Sequence, residues 1–380
     1  MAQLVIELKQ HTPILHFQHG QQGATLRATE VKPKLDKFIH QVFERKKLSL
    51  NPDWLIGPDK RALDYKMRIR LKGEGRQEFW VRSASKDMPG TPSKLTINNS
   101  PYFAQTEKEK KFHGKFVLKL WNSIEKKGLF WGNNVEIVIF SLSADLVHLI
   151  AEHIEAFFIC TNFGTRSDKG FGSFTIVKKD EKTVTNDPKS VLKDNFDFVY
   201  QRSFPNGCDF SRLFAEIKKD YNLIRQGLRT FRPSRDDDRQ WDKALLKQIA
   251  RNPYDEFDEN EYEFKRGMLG LSYEYSVENK NRKKIKIKVA DKYGKVERFQ
   301  SPLLFKYIEG NLYLVGSESL VQNMLNQSFT FQSPSLKTPI TLKTPEVFSL
   351  KYFLKYVIGK SGQGRSGSKK NDTLYYKCIK

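Results

Sequence analysis

The stretch Tyr65-Lys66-Met67-Arg68-Ile69-Arg70-Leu71-Lys72 decides how this chain folds. Tyr65, Met67, Ile69 and Leu71 fall on one side of it, and Lys66, Arg68, Arg70 and Lys72 on the other. A period of two is that of a strand with one buried face, and here the second face is strongly positive. Upstream, Leu4 to Lys9 is apolar and strand-like. Lys34 to Arg45 places Leu35, Phe38, Ile39, Val42 and Phe43 at the spacing of one helix face. Downstream, Lys115 to Trp121 and Asn134 to Phe140 read as strands. Ser143 caps a helix running to about Cys160, with Asp145 at the positive end of its dipole. Leu146, Ile150, Ile154, Phe157 and Phe158 form its apolar stripe. A glycine-rich turn over 162–172 follows, and Ser173 to Lys178 closes the pattern as a strand.

Strand, helix, strands, helix, strand is the ferredoxin-like, or RRM-like, plan. From Glu181 to Lys193 the chain turns polar, which marks a boundary. Beyond it the pattern predicts a helix from Ser211 to Arg229, then strands at Met268 to Tyr275, Lys284 to Val289, Val296 to Lys306 and Leu312 to Val315. Short helices near Ser319 to Gln327 and Val347 to Val357 complete a second α+β unit. Residues 1–182 are therefore read as one domain and 195–358 as another. Residues 359–380, whose first part is rich in Gly, Ser and Lys, are read as a flexible basic tail.

A length of 380 residues accommodates roughly two domains and a sizeable core, so neither a disulfide nor a metal is required. The 28 phenylalanines argue against a disordered chain. The formal charge of +22 favours a polyanionic partner, nucleic acid or an acidic membrane surface. No run of about 18 apolar residues is present, and the first residues lack the layout of a signal peptide. Cys160, Cys208 and Cys378 lie far apart, with no disulfide framework or zinc spacing. A cytoplasmic protein that handles nucleic acid is the expected class, with no membrane partner.

Gly164, Gly170 and Gly172 allow a sharply bent or closely approached backbone, and Arg166 and Lys169 add charge to the same loop. Exposed amides beside two cations would receive phosphate, whereas the plain alternative is a tight turn with solvated charges. The row Lys66, Arg68, Arg70 and Lys72 spaces a cation every 6.8 Å or so, close to the phosphate repeat of an extended single strand. Lys284, Lys286 and Lys288 form a second row. Phe79, Trp80, Tyr102, Phe103 and Phe171 are candidates to stack on bases, although most aromatics of so Phe-rich a chain must be core.

Gly164-Thr165-Arg166, followed by Gly170-Phe171-Gly172-Ser173, resembles the glycine-rich loop of the RAMP superfamily, the RNA-binding subunits of CRISPR effector complexes. Thr12-Pro13-Ile14-Leu15-His16-Phe17, leading into Leu26-Arg27-Ala28-Thr29 and Lys32, resembles the amino-terminal signature of the first RAMP subunit of the type III-B Cmr complex. Leu269-Gly270-Leu271 and Arg298-Phe299-Gln300-Ser301-Pro302-Leu303 resemble two further elements of that subunit, in the expected order. The family pattern continues Lys-Gly and then Arg after two more residues. Here Lys32-Pro33 and Asp36 stand at those places, so a phosphate contact would fall to Lys34 or Lys37. Pro33 fits the first turn of the following helix.

The resemblance implies an α+β protein of two ferredoxin-like domains packed together. It implies partnership with guide RNA (crRNA), target RNA and the other Cmr-complex subunits, near the 3′ end of the guide and in antiviral defence. It implies no catalysis, since the cleaving aspartate belongs to another subunit; no cofactor is expected, and the spacing of the histidines and cysteines predicts no metal site. Gly164, Arg166, Lys169, Gly170, Phe171 and Gly172 would cradle RNA, with Arg27 and Lys32 contributing from the first strand-to-helix connection.

The rival is a metal-independent guide-processing endoribonuclease of the same superfamily, with His16 or His19 as acid or base beside His11. A blander alternative is a nucleic-acid scaffold protein outside CRISPR systems. Asp236-Asp237-Asp238 reads as a solvated loop rather than a magnesium site, because consecutive side chains diverge. Gly359-Lys360-Ser361 lacks the earlier glycine of a phosphate-binding loop, Leu354 standing there instead. The acidic run Asp255 to Glu263 would repel RNA and is expected away from it.

Overall fold

The computed structural model describes residues 1–15, 25–73, 75–79, 128–132, 134–185, 187–204, 210–226, 263–270, 274–278, 284–291, 301–334, 339–360 and 374–380. The strand expected at Lys115 to Trp121 lies outside the described residues. So do His16, His19, Cys208, Trp80, Tyr102, Phe103, the aspartate triplet, most of the acidic run and most of the Gly-Ser-Lys segment. The mixture of helix and sheet makes this an α+β protein, and it divides into two compact units. One comprises 1–195, 203–217 and 305–313; the other comprises 196–202, 218–304 and 314–380.

The first unit follows the sequence pattern closely. Its elements are β1 (Ala2–Gln10), α1 (Ala28–Lys46), β2 (Lys66–Leu71), β3 (Val135–Ser141), α2 (Ala144–Cys160), β4 (Phe174–Lys179) and β5 (Lys182–Thr183). The strands form one sheet in the order β5-β4-β1-β3-β2, every neighbouring pair antiparallel. Leu4, Ile6 and Leu8 of β1 meet Val135, Ile137 and Ile139 of β3 in a core with Val31, Leu35 and Ile39 of α1 and Ile150, Ile154, Phe157 and Phe158 of α2. Each such side chain contributes about 1.5–3 kcal/mol by leaving water. Ser143 caps α2 as expected, its Oγ accepting the Leu146 amide at 3.2 Å.

Helix α1 begins earlier than its apolar spacing predicts. Extended Arg27 is the N-cap, and its carbonyl accepts the Glu30 and Val31 amides at 3.0 and 2.9 Å. Pro33 consequently lies inside the helix rather than in its first turn, where its missing N–H leaves a carbonyl one turn back without a donor.

The second unit has an antiparallel sheet in the order β7-β8-β9-β10, made of β7 (Glu274–Glu278), β8 (Lys284–Asp291), β9 (Ser328–Gln332) and β10 (Ile340–Lys343). Helix α3 (Leu350–Lys360) buries Leu350, Leu354 and Val357. The strand expected to begin at Met268 is corrected. Lys265–Leu269 is a 3-10 turn ending at Gly270, whose φ of 110° is closed to ordinary strand residues. The end of the chain is not loose either. Leu374 is buried, and Lys377–Cys378 pairs antiparallel with Phe198–Ser203. Among the described residues no helix is long and apolar enough to cross a membrane.

Candidate nucleic-acid interface

The glycine loop hangs between α2 and β4 in the first unit. Asn162 and Ser173 bridge its two ends, and the Phe163 amide donates to the Gly172 carbonyl at 2.9 Å. A Cβ on Gly172 would stand 2.0 Å from the Phe163 carbonyl oxygen, so no other residue fits there. Gly164, Arg166, Gly170 and Gly172 all have positive φ. The Thr12 hydroxyl donates to the Gly170 carbonyl at 2.7 Å and accepts the Ser173 amide at 2.9 Å. The Gly172 amide reaches the Pro13 carbonyl at 2.9 Å. From α1, Glu30 Oε1 accepts the Gly164 amide and the Lys34 ammonium, each at 2.8 Å. The segment 305–308 completes the lock. Asn162 Nδ2 donates to the Phe305 carbonyl at 2.8 Å, and the Ser173 hydroxyl donates to the Tyr307 carbonyl at 2.7 Å.

These bonds change the reading of the loop. The amides of Gly164, Lys169, Gly170, Gly172 and Ser173 all point at protein acceptors and not outward to receive phosphate. Arg166 and Lys169 are half-buried and already engaged, Lys169 with Asp168 at 3.5 Å. Phe171 is fully buried and lies parallel to Phe214 with ring centroids 3.8 Å apart, so it does not offer a face to a base. Hydrogen bonds fasten the loop as a tight turn, and its two cations are engaged rather than solvated.

Lys32 is also drawn inward. Its ammonium donates to Asp36 Oδ2 and the Leu63 carbonyl, both at 2.8 Å, and sits 4.2 Å from the centre of the Tyr65 ring. The Asp36 that departs from the family pattern is thus this lysine's counter-ion. Lys34 is held by Glu30 and by the Asn162 carbonyl at 3.2 Å, which leaves Lys37 as the exposed cation of this turn. Arg27 is half-buried and engaged.

Beneath the loop lies Lys306, completely buried. Its ammonium donates to the carbonyls of Phe158 and Thr161 at 2.8 Å and of Phe174 at 3.3 Å, closing the C-terminus of α2. Burial pushes it down to about 7, slightly opposed by Cys160. His11, buried and bonded to Thr175 Oγ1 at 2.8 Å, is pushed down to about 3 by burial first and by Lys306 and Lys9 after it. A group so hard to protonate is a poor general acid near neutrality.

The alternating strand keeps its promise of an exposed basic row, but the row is divided. Lys66, Arg68, Arg70 and Lys72 are exposed. Arg70 and Lys72 both bind Glu136 on β3, and Lys72 and Lys178 lie 3.7 and 3.2 Å from Glu7 on β1. Burial opposes the charge on Glu136, yet the hydrogen bonds from Lys72 and Arg70 hold its carboxyl below the ordinary range. Lys66 and Arg68 make no ion pair or hydrogen bond among the described residues. In the second unit Lys286 pairs with Glu274 at 2.9 Å, and Lys288 stays exposed.

One residue escaped the sequence reading. Phe140 sits on β3 opposite Lys66, with Val138 opposite Arg68. Both are only half-buried and stand outside the core. Val135–Ser141 is almost continuously apolar, so its outward positions appear only once its register with β2 is known.

The four family-like sequence elements also meet in pairs within their units. Thr12 binds the Gly170 carbonyl, and the Ser301 backbone comes within 3.3 Å of where a Gly270 Cβ would stand. No curated protein matches this sequence. Among solved structures, the apo crystal structure of Cmr1 from Pyrococcus furiosus matches with 13% identity over 95% of this chain and 97% of that one, at a TM-score of 0.44. A chain in a cryo-EM structure of the type III-B Cmr-beta complex bound to cognate target RNA matches 47% of this chain and 59% of its own length, at 13% identity and a TM-score of 0.28. The family model of the Cmr1 N-terminal domain matches residues 1–228 and that of the Cmr1 C-terminal domain residues 213–375, and the chain accordingly belongs to the Cmr1 family.

Proposed function

We propose that this chain is the non-catalytic, RNA-binding Cmr1 subunit of a type III-B CRISPR effector complex. In that role it would anchor the guide RNA near its 3′ end and help to capture target RNA. The observation that carries the reading is the pair of Cmr1 domain matches, which together span residues 1–375. Three further observations support it. The charge of +22 suits a polyanion. The exposed Lys66 and Arg68 offer phosphate contacts on a strand. The strand order β4-β1-β3-β2, with α1 and α2 between strands along the chain, supports reading the first unit as the ferredoxin-like domain expected of a RAMP subunit.

The test is binding of the purified full chain to labelled single-stranded RNA across a salt series, with products checked on a gel and the chain mixed with the remaining Cmr subunits. Salt-dependent binding of intact RNA, together with incorporation into the complex, is the expected result. RNA cut in the absence of metal would promote the nuclease reading. Exclusion from the complex would end the assignment.

A further inference from the structure

The face of the first sheet turned away from α1 and α2 is laid out in three rows by its register. Gln3, Phe140 and Lys66 form one row, Val5, Val138 and Arg68 the next, and Glu7, Glu136 and Arg70 the third. The third row is electrically closed. Glu136 holds Arg70 and Lys72, while Glu7 faces Lys72 and Lys178. The other two rows are different in kind. Phe140, Val138 and Val5 are half-buried apolar side chains outside the core, and Lys66 and Arg68 beside them carry unpaired charge among the described residues. Among the described residues β2 ends the sheet, so these two cations stand at its described edge.

We infer that the Phe140–Lys66–Arg68 half of this sheet is a stacking platform for single-stranded RNA, with a base on the Phe140 ring and consecutive phosphates at Lys66 and Arg68. This rests on the RNA-binding reading above and gives it a surface. The dimensions agree. Neighbouring strands are about 4.8 Å apart, so Phe140 stands next to Lys66, and Lys66 and Arg68 are about 6.8 Å apart along β2. An extended polynucleotide repeats on that scale and alternates an apolar face with a negative charge, which is the pattern the two rows complement. A protein surface docked here would have to pair Lys66 and Arg68 with its own carboxylates. The overall charge of +22 favours the polyanion.

The experiment uses the full chain and a labelled, mixed-sequence single-stranded RNA carrying 4-thiouridine. Phe140→Ala is expected to weaken binding about five- to hundredfold with the salt slope unchanged. Phe140→Tyr, which keeps a ring at the site, is expected to bind like wild type. The double variant Lys66→Ala, Arg68→Ala is expected to flatten the logarithmic salt slope by about 1.4 units. The double variant Lys286→Ala, Lys288→Ala is expected to leave the slope as it was. Photocrosslinks are expected on the peptide containing Val135–Ser141.

Wild-type binding that survives all changes at 66, 68 and 140, with crosslinks elsewhere, overturns the platform while leaving an RNA-binding subunit standing. Loss of complex assembly in these variants with RNA binding intact also overturns it, and makes the face a protein interface. No RNA binding by wild type overturns both readings together.

Discussion

Lys306 shows how a fully buried amine can find partners. An ammonium has three protons to donate, and here three carbonyls receive them, two from the end of α2 and one from β4. Replacing it by Met fills similar space and leaves those carbonyls in a dry interior, so Lys306→Met should cost about 3 kcal/mol or more in urea unfolding. Its titration has a definite sign. The folded group releases its proton near 7 and the unfolded one near 10.5, so the unfolded chain binds more protons between these values. This contribution to stability therefore rises with pH from about 7 to 10.5 and is flat below 7. The stability gap between wild type and Lys306→Met should widen from pH 7 to pH 9. His11 gives the acid counterpart. With its folded pKa near 3 and its ordinary value 6.5, it contributes stability above 6.5 that is lost as pH falls toward 3. His11→Gln, which retains a polar partner for Thr175, should lose less stability than wild type between pH 6.5 and 4. An equal acid sensitivity of the two would remove His11 from the account.

Elements differ in how plainly the sequence declares them, and the reason is the range of the forces involved. The basic strand β2 is declared by period alone, and α2 by an apolar stripe beginning just after a serine cap; both are local. The glycine loop is declared as a loop, but its purpose is not. Its partners Thr12, Glu30 and Phe305 lie more than 130 residues away along the chain, so only the folded chain shows the amides turned inward. The same holds for Lys32, which reads as a phosphate ligand until Asp36, Leu63 and Tyr65 gather around it. A comparison of two glycines tests the fastener. Gly172 and Gly57 both have positive φ, but a Cβ at Gly172 strikes the Phe163 carbonyl while one at Gly57 meets open space. Gly57→Ala should cost about 1–2 kcal/mol, the backbone penalty alone. Gly172→Ala should exceed about 4 kcal/mol, because the clash with rigid backbone is added to it. Thermal unfolding of the two variants reads the difference, and equal losses would mean that the loop is not held as tightly as its hydrogen bonds require.

At the scale of the whole molecule, the order of the chain and the order of the fold part company. The polar stretch near 181–193 looks like a boundary, and the N-terminal family match extends to residue 228. Yet the first unit is completed by 305–313, which no reading of residues 1–228 could supply. That segment brings Lys306 to the end of α2, the Phe305 carbonyl to Asn162 and the Tyr307 carbonyl to Ser173. Without it, helix-terminal carbonyls and a buried asparagine lose their partners at once, at about 1–3 kcal/mol each. Such losses approach the whole net stability of a domain, about 5–15 kcal/mol. A fragment of residues 1–228 should therefore show no cooperative unfolding transition. Appending residues 301–316 through a flexible linker should restore one, and the same appended segment carrying Lys306→Met should restore it poorly. A 1–228 fragment that unfolds as cooperatively as the full chain would mean that the first unit is closed by its own residues and that Lys306 is dispensable to it.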